Sequence, residues 1–350
     1  MPKVIISWII DTSILSEVGD VMKRSSKILF FTIGGTFFIV SFIGMIFYGY
    51  KTFYIEKDVV DSKEYAYHFV LIAEEQDNEY WRLIEQGARK AAADNDIYLE
   101  YIGPQKADNN QLLRLVDRMI AVKVDGIITQ GIEGERFVDL VFKGVERGIP
   151  IITVDTDVKS SMRKAYVGTD NYYAGQLAGK TIIENTTGEQ YVGIVTGRFD
   201  AVNQQERIEG FKDAIKSSGR IHIVGSKESN ITQIGAAQAT YSLLKEHPSI
   251  TALLGTSALD GIGIVEGLHE IVSNKDVYIT AFDVLPGTLD LIQKGKINAT
   301  IAQYPEEMGY EAIEVMIELQ KHDILDNKFF TRTKIIEKRD LESHRKDGLK

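Results

Sequence analysis

The chain has 350 residues, 40 Lys plus Arg against 50 Asp plus Glu, a formal net charge of −10, and 44% hydrophobic residues. That composition excludes wholesale disorder, and the acidic balance argues against nucleic acid as a main partner, since phosphate backbones repel it. There is no cysteine, which excludes disulfides, thiolate metal sites, a cysteine nucleophile and a lipid-bearing cysteine.

Residues 1–27 read as a short cytoplasmic segment. The apolar run at 4–10 is too short to span a bilayer, and Met22-Lys23-Arg24 looks like a natural start, so 1–21 read as a short cytoplasmic extension or an over-extended start. Residues 28–50, ILFFTIGGTFFIVSFIGMIFYGY, carry no charge. At ~1.5 Å per residue this stretch is about 34 Å long, enough to cross a hydrocarbon core of ~30 Å. It lacks the polar stripe of a soluble helix, and Gly34, Gly35 and Gly44 are tolerated in lipid. Lys23, Arg24 and Lys27 stand before it, which places that end in the cytoplasm and the rest of the chain outside. The apolar core is too long for a cleaved signal peptide and no small-x-small site follows, so an uncleaved single-pass anchor is expected. Residues 51–64 are polar and charged and read as a stalk.

From Tyr65 onward, short β-rich runs alternate with amphipathic stretches. The runs are YHFVLIA, IYLEYI, DGIIT, PIITV, AYVGT, YVGIVT, IHIVG, TALLG, VYITAF and ATIAQ. Several are apolar on both faces, as buried parallel strands require. Helical patterns lie at 81–95, 111–122, 137–147, 201–217, 234–247 and 308–321. This alternation predicts an α/β protein of βαβ units, and about ten strands suit two parallel sheets better than one. Thr169-Asp170-Asn171 follows the fifth run near the middle of this region, and the passage between lobes is expected there. The charged tail from Lys338 onward is expected to fray.

In open α/β sheets, ligands bind beyond the carboxyl ends of the strands. Asn78, Tyr80 and Trp81 follow the first run; Asp155, Thr156 and Asp157 follow PIITV; Asn203 and Arg207 follow YVGIVT. Ser257 and Asp260 follow TALLG, Asp283 follows VYITAF, and Gln303 ends the last run. Carboxylates accept from hydroxyls, Arg and amides donate, and aromatic faces cover the C–H face of a pyranose, so this mix suits a neutral polyol. Each residue also has an ordinary structural alternative. Asn78 could cap a helix, Tyr80 and Trp81 could be core, and Asp155 could form a turn. Asp157 reads as a turn or cap, Arg207 could pair with Glu206 or Glu209, Asp260 is expected as an N-cap, and Gln303 could simply end a strand. Their shared placement carries the argument.

None of the six histidines forms HExxH or a close metal-ligand pair, so no metal site is expected. Gly261, Gly263 and Gly267 miss the dinucleotide spacing, and no P-loop or nucleophile elbow occurs, so no cofactor is expected. Nothing in the sequence fixes the separation that paired catalytic carboxylates need, so the chain is not read as an enzyme.

Taken together, DNEYWRLIEQGARKAA, VDGIITQ, GIPIITVDTD, YVGTDNYYAGQLAG, QERIEGFKDAI and ITAFDVLPGTLDLIQKGKINATIAQYPEEMGYEA resemble the type I periplasmic binding proteins for monosaccharides, over about 65–337. The resemblance implies two Rossmann-like lobes joined by a three-strand hinge, with a sugar held between lobes that close on it. It implies a first lobe of 65–170 plus 304–332, a second of 171–303 plus 333–340, and a charged tail at 341–350. It also carries ligand roles onto Asn78, Tyr80, Trp81, Asp155, Arg207, Asp283 and Gln303. Thr156 stands where ribose-binding members have Arg, and Ser257-Ala258 where they have Asn-Asp, so a pyranose such as xylose is favoured over ribose. DNA-binding regulators of this fold carry a helix-turn-helix where this chain has its span. The expected function is a membrane-anchored monosaccharide receptor that signals to the ectodomain of a membrane histidine kinase. The alternative is the substrate-binding component of an ABC-type importer, with a sugar permease as partner.

Overall fold

The computed structural model describes residues 29, 32–49, 65–271, 276–322 and 327–347. The expected cytoplasmic segment and stalk lie outside the described residues, as do positions 28, 30, 31 and 50 of the expected span. Helix α1, Thr32–Gly49, has 18 residues and is long and apolar enough to cross a membrane.

The region from Tyr65 onward holds two six-stranded sheets. The first has the order β11-β5-β4-β3-β1-β2, where β1 is His68–Ile72, β2 Tyr98–Ile102, β3 Gly126–Thr129, β4 Ile151–Val154, β5 Tyr166–Gly168 and β11 Lys328–Phe330. All its pairings are parallel. The second has the order β12-β10-β9-β8-β6-β7, with β6 Gln190–Thr196, β7 Ile221–Glu228, β8 Ala252–Gly255, β9 Tyr278–Phe282, β10 Ala299–Ala302 and β12 Lys334–Glu337. It is parallel except for β12, which runs antiparallel to β10. The central strands β3, β4, β8 and β10 are buried along their whole length, because helices cover both faces.

Those helices form four apolar layers. In the first lobe, α2 (Glu79–Asp94) and α10 (Pro305–Lys321) enclose one face of the sheet, with Phe69, Leu71, Ile84 and Met316 among the buried contacts. Helices α3 (Asn109–Val122) and α4 (Glu135–Glu146) cover the other face through Ile120, Phe137 and Val141. In the second lobe, α5 (Asn171–Asn185) and α6 (Val202–Lys216) pack one face around Phe211 and Phe282. The other face is covered by α7 (Gln233–Glu246), α8 (Asp260–Ile271) and α9 (Pro286–Gln293) around Leu243, Ile264 and Ile292. Side chains at the strand–helix junctions fix several helix starts: Asn78 caps α2, Asp108 α3, Asp170 α5 and Thr232 α7, each accepting a backbone N–H.

The chain crosses between the sheets three times: from β5 to α5, from β10 to α10, and from β11 to β12. The two-lobed α/β architecture with a three-strand connection is therefore present. Two strands, β11 and β12, are additional to the ten runs read from the sequence. Both are short and only partly buried, so they lack a continuous apolar run. The charged tail also departs from expectation. Lys338–Asp347 forms helix α11, started by an Asp340 Oδ2 that accepts from the Glu337 N–H at 2.8 Å, and Leu341 packs onto the α7–α9 layer.

One close approach bears on the cleft. A Cβ built on Gly175 of α5 would overlap the Arg207 carbonyl oxygen, and one built on Gly210 of α6 would overlap that of Tyr172. The two helix backbones touch there, which seats α6 and its side chains against the second sheet.

Candidate functional site

Both sheets point their carboxyl ends at one cavity of about 340 Å³. Ten of the twelve side chains singled out from the sequence line it, and Asp157 and Asp260 do not. Asn78, Tyr80, Trp81, Asp155 and Thr156 come from the first lobe, Asn203, Arg207, Ser257 and Asp283 from the second, and Gln303 from a crossing.

The two aspartates occupy matching places, Asp155 after β4 and Asp283 after β9. Both have left-handed backbones, with φ of 65° and 70°. Aspartate tolerates this conformation better than most residues, and the turn lifts its carboxyl off the end of the strand. Asp155 Oδ1 accepts from the Tyr80 hydroxyl at 2.8 Å, and its Oδ2 accepts from Thr156 Oγ1 at 2.9 Å and Asn203 Nδ2 at 3.0 Å. Asp283 Oδ1 accepts from Gln303 Nε2 at 2.8 Å. Burial pushes the Asp283 carboxyl up to about 7; nearby Arg207 counters this and Asp155 adds to it. Burial likewise holds Tyr80 well above the usual phenol range.

Arg207 is 2% exposed and does not pair with Glu206 or Glu209 on the helix surface. Its Nε donates to Asn171 Oδ1 at 2.9 Å, Nη1 to the Thr256 carbonyl at 2.6 Å, and Nη2 to Gln303 Oε1 at 2.6 Å. The guanidinium lies over the Phe282 ring, 4.6 Å from its centroid. Gln303 Oε1 also accepts from Thr169 Oγ1 at 2.8 Å, so Arg207 is tied to two of the three crossings. Gln303 does more than end its strand.

The remaining alternatives resolve one by one. Asn78 caps α2 and also lines the cavity. Tyr80 and Trp81 are core residues, 8% and 2% exposed, that show part of their surface to the cavity. Asp157 is structural, holding Arg163 through two bonds of 2.5 and 2.7 Å. Asp260 is not the expected N-cap. It is the first residue of α8, and its Oδ2 turns back to accept from the Thr256 and Ser257 N–H groups at 3.1 and 2.8 Å. Burial pushes this carboxyl up to about 6.

Among the lining residues not singled out from the sequence are Glu74, Gln130, Asn109 and Arg198. Glu74 and Gln130 directly follow the segments that hold β1 and β3, so the strand-end rule reaches them. Arg198 follows β6 by two residues and Asn109 opens the helix after β2, so the same rule reaches them as well. Arg198, from the second lobe, lies 3.6 Å from Glu74 and donates to Asn109 Oδ1 at 3.3 Å, both in the first lobe. Lys159 and Glu206 bridge the lobes at 2.7 Å, and the Asn203–Asp155 bond joins them inside the cavity. The lobes thus meet around a space lined with carboxyl, amide and guanidinium groups and two aromatic rings.

Residues 69–323 match the family described as "Periplasmic binding protein domain". The chain belongs to that family. A glucose-galactose binding protein from Geobacillus stearothermophilus, GanP, is 47% identical; the match covers 79% of this chain and 99% of that one, with a TM-score of 0.76. A chain of the XylFII-LytSN complex is 37% identical, over 78% of this chain and 98% of that one, with a TM-score of 0.73. The D-ribose/D-allose-binding protein of Pseudomonas aeruginosa is 24% identical over 251 residues, which is 69% of this chain and 78% of that protein.

Proposed function

We propose that this chain is a membrane-anchored receptor that closes on a monosaccharide outside the cytoplasm. The observation that carries the reading is the convergence of Asp155, Arg207, Asp283 and Gln303 from both lobes and the crossing on one cavity roofed by Tyr80 and Trp81. Acceptors, amide donors and ring faces in an enclosed space are what a pyranose needs for orientation. The 47% identity to a glucose-galactose binder supports an aldopyranose ligand. A ligand that contacts both lobes binds the closed state better than the open one and so shifts the population toward closure. Helix α1 supports anchoring, and the cations before it support a cytoplasmic N-terminus.

For the partner, we favour the ectodomain of a membrane histidine kinase. A relative 37% identical was solved in complex with a second protein, LytSN, and an uncleaved anchor keeps a receptor beside a membrane sensor. The importer reading has its own support: the "Ribose import binding protein" of Escherichia coli is 22% identical over 269 residues.

Calorimetric titration of the detergent-solubilised full chain with aldopentoses and aldohexoses tests the ligand. Saturable heat with at least one sugar is expected, and folded protein that gives none with any of them refutes the reading. Affinity capture from membranes, with and without the sugar, tests the partner. Sugar-dependent recovery of a kinase is expected, whereas recovery of permease and ATPase subunits without a kinase establishes the importer role.

A further inference from the structure

The cavity is short of positive charge. Three largely buried carboxyl groups line it: Glu74 with a side chain 14% exposed, Asp155 at 7% and Asp283 at 3%. Two guanidinium groups stand against them, and the protein itself already engages much of each. Arg207 has three of its N–H groups engaged by Asn171, Thr256 and Gln303, and its flat face rests on Phe282. Arg198 is divided among Glu74, Asn109 and Asp200 at the cavity edge. No lysine lines the cavity. Thr156 follows Asp155 and offers only a hydroxyl, which Asp155 already takes.

Burial acts on these carboxyl groups as well. Burial holds Glu74 above the ordinary carboxylate range against the pull of Arg198, although Gln130 and Trp81 both hydrogen-bond it. Asp155 accepts three hydrogen bonds from side chains of the protein. Asp283 Oδ1 takes one from Gln303. Ser257, 5% exposed and lining the same space, has a hydroxyl with no well-formed hydrogen bond. A ligand group that supplies positive charge and donors relieves such a site. A ligand carboxylate adds a further buried negative charge to a cavity in which carboxyl groups already outnumber guanidinium groups.

Given that the cleft is a monosaccharide site, we propose that it selects by charge: a hexose bearing a protonated amino group binds in preference to the neutral hexose, the hexuronate is refused, and Glu74 receives the ammonium. The preference lies in the excess of buried carboxyl over guanidinium groups at the site, so it adds to the hydroxyl recognition that any hexose would use.

The test titrates the detergent-solubilised full chain with D-glucosamine, D-glucose and D-glucuronate, and with the corresponding galacto compounds, at one ionic strength. The amino sugar of one series is expected to bind about tenfold tighter than its neutral parent, with no saturable binding of the uronate. Glu74→Gln is expected to bring the ratio of amino-sugar to neutral-sugar affinity close to one. A merely structural role for Glu74 would weaken both sugars together and leave that ratio unchanged, which would overturn its assignment. Equal or tighter binding of the neutral sugar, or saturable binding of the uronate, overturns charge selection and leaves the monosaccharide reading standing. Absence of binding by every sugar removes both.

Discussion

Replacing Arg207 with Met removes the guanidinium and keeps most of its volume. The change strands three acceptors in the interior: Asn171 Oδ1, the Thr256 carbonyl and Gln303 Oε1, in residues that are 2%, 0% and 1% exposed. Hydrogen bonds to a charged group contribute ~1.5–3 kcal/mol each, so the gross loss is about 5–9 kcal/mol. The guanidinium's own desolvation penalty, several kcal/mol, disappears with it and offsets part of this, leaving a net loss of about 3–5 kcal/mol. At ~2–4 °C per kcal/mol for a unit of this size, the melting midpoint falls by about 6–20 °C. Asp283 loses the cation that counters its burial, so its carboxyl titrates still higher. Thermal melting followed by calorimetric titration with the best sugar measures both effects. Arg207→Lys should recover less than half of the stability, because an ammonium cannot reach three divergent acceptors as a planar fork does. A Met variant that loses less than about 1 kcal/mol and keeps its sugar affinity within about threefold would refute the account of Arg207 as the hub of the cleft.

Asp283 gives a pH prediction. Its folded value is about 7 against an ordinary 3.8, so between those limits the folded state holds a proton that the unfolded chain has lost. Stability of the ligand-free protein is therefore greatest at the acid end of that window and declines as pH rises through 7, by ~4 kcal/mol at most. Asp283→Asn should flatten the slope in melts taken from pH 4.5 to 8, leaving a smaller one from Asp260. Gly210→Ala drives a methyl into the Tyr172 carbonyl oxygen. It should cost about 1–3 kcal/mol in denaturant titrations and weaken sugar binding as well, because α6 carries Asn203 and Arg207. The Lys159–Glu206 bridge is largely solvated on its lysine side. Glu206→Gln should therefore weaken sugar binding by less than about fivefold at low salt, and the difference should vanish in 1 M salt.

By itself, the sequence determined the layer architecture and the neighbourhood of the site. Apolar runs a few residues long, alternating with amphipathic stretches, can bury themselves only as parallel sheets covered on both faces. In such sheets every strand delivers its next residues to the same edge. For that reason Asn78, Asp155, Asn203, Ser257, Asp283 and Gln303 could be selected without coordinates, and Glu74 and Gln130 were within reach of the same rule. Local pattern did not reveal β11, β12 or α11, because short edge strands and a charged helix have no buried face of their own and form only where a partner is already in place. It also could not assign the roles of the selected residues. Asp155 meets Asn203 across 48 positions of chain, and Gln303 meets Thr169 across 134. The partners of Arg207 lie on three different elements. Tertiary structure alone decided which residues meet, because contacts between residues so far apart in sequence depend on how the two lobes come together.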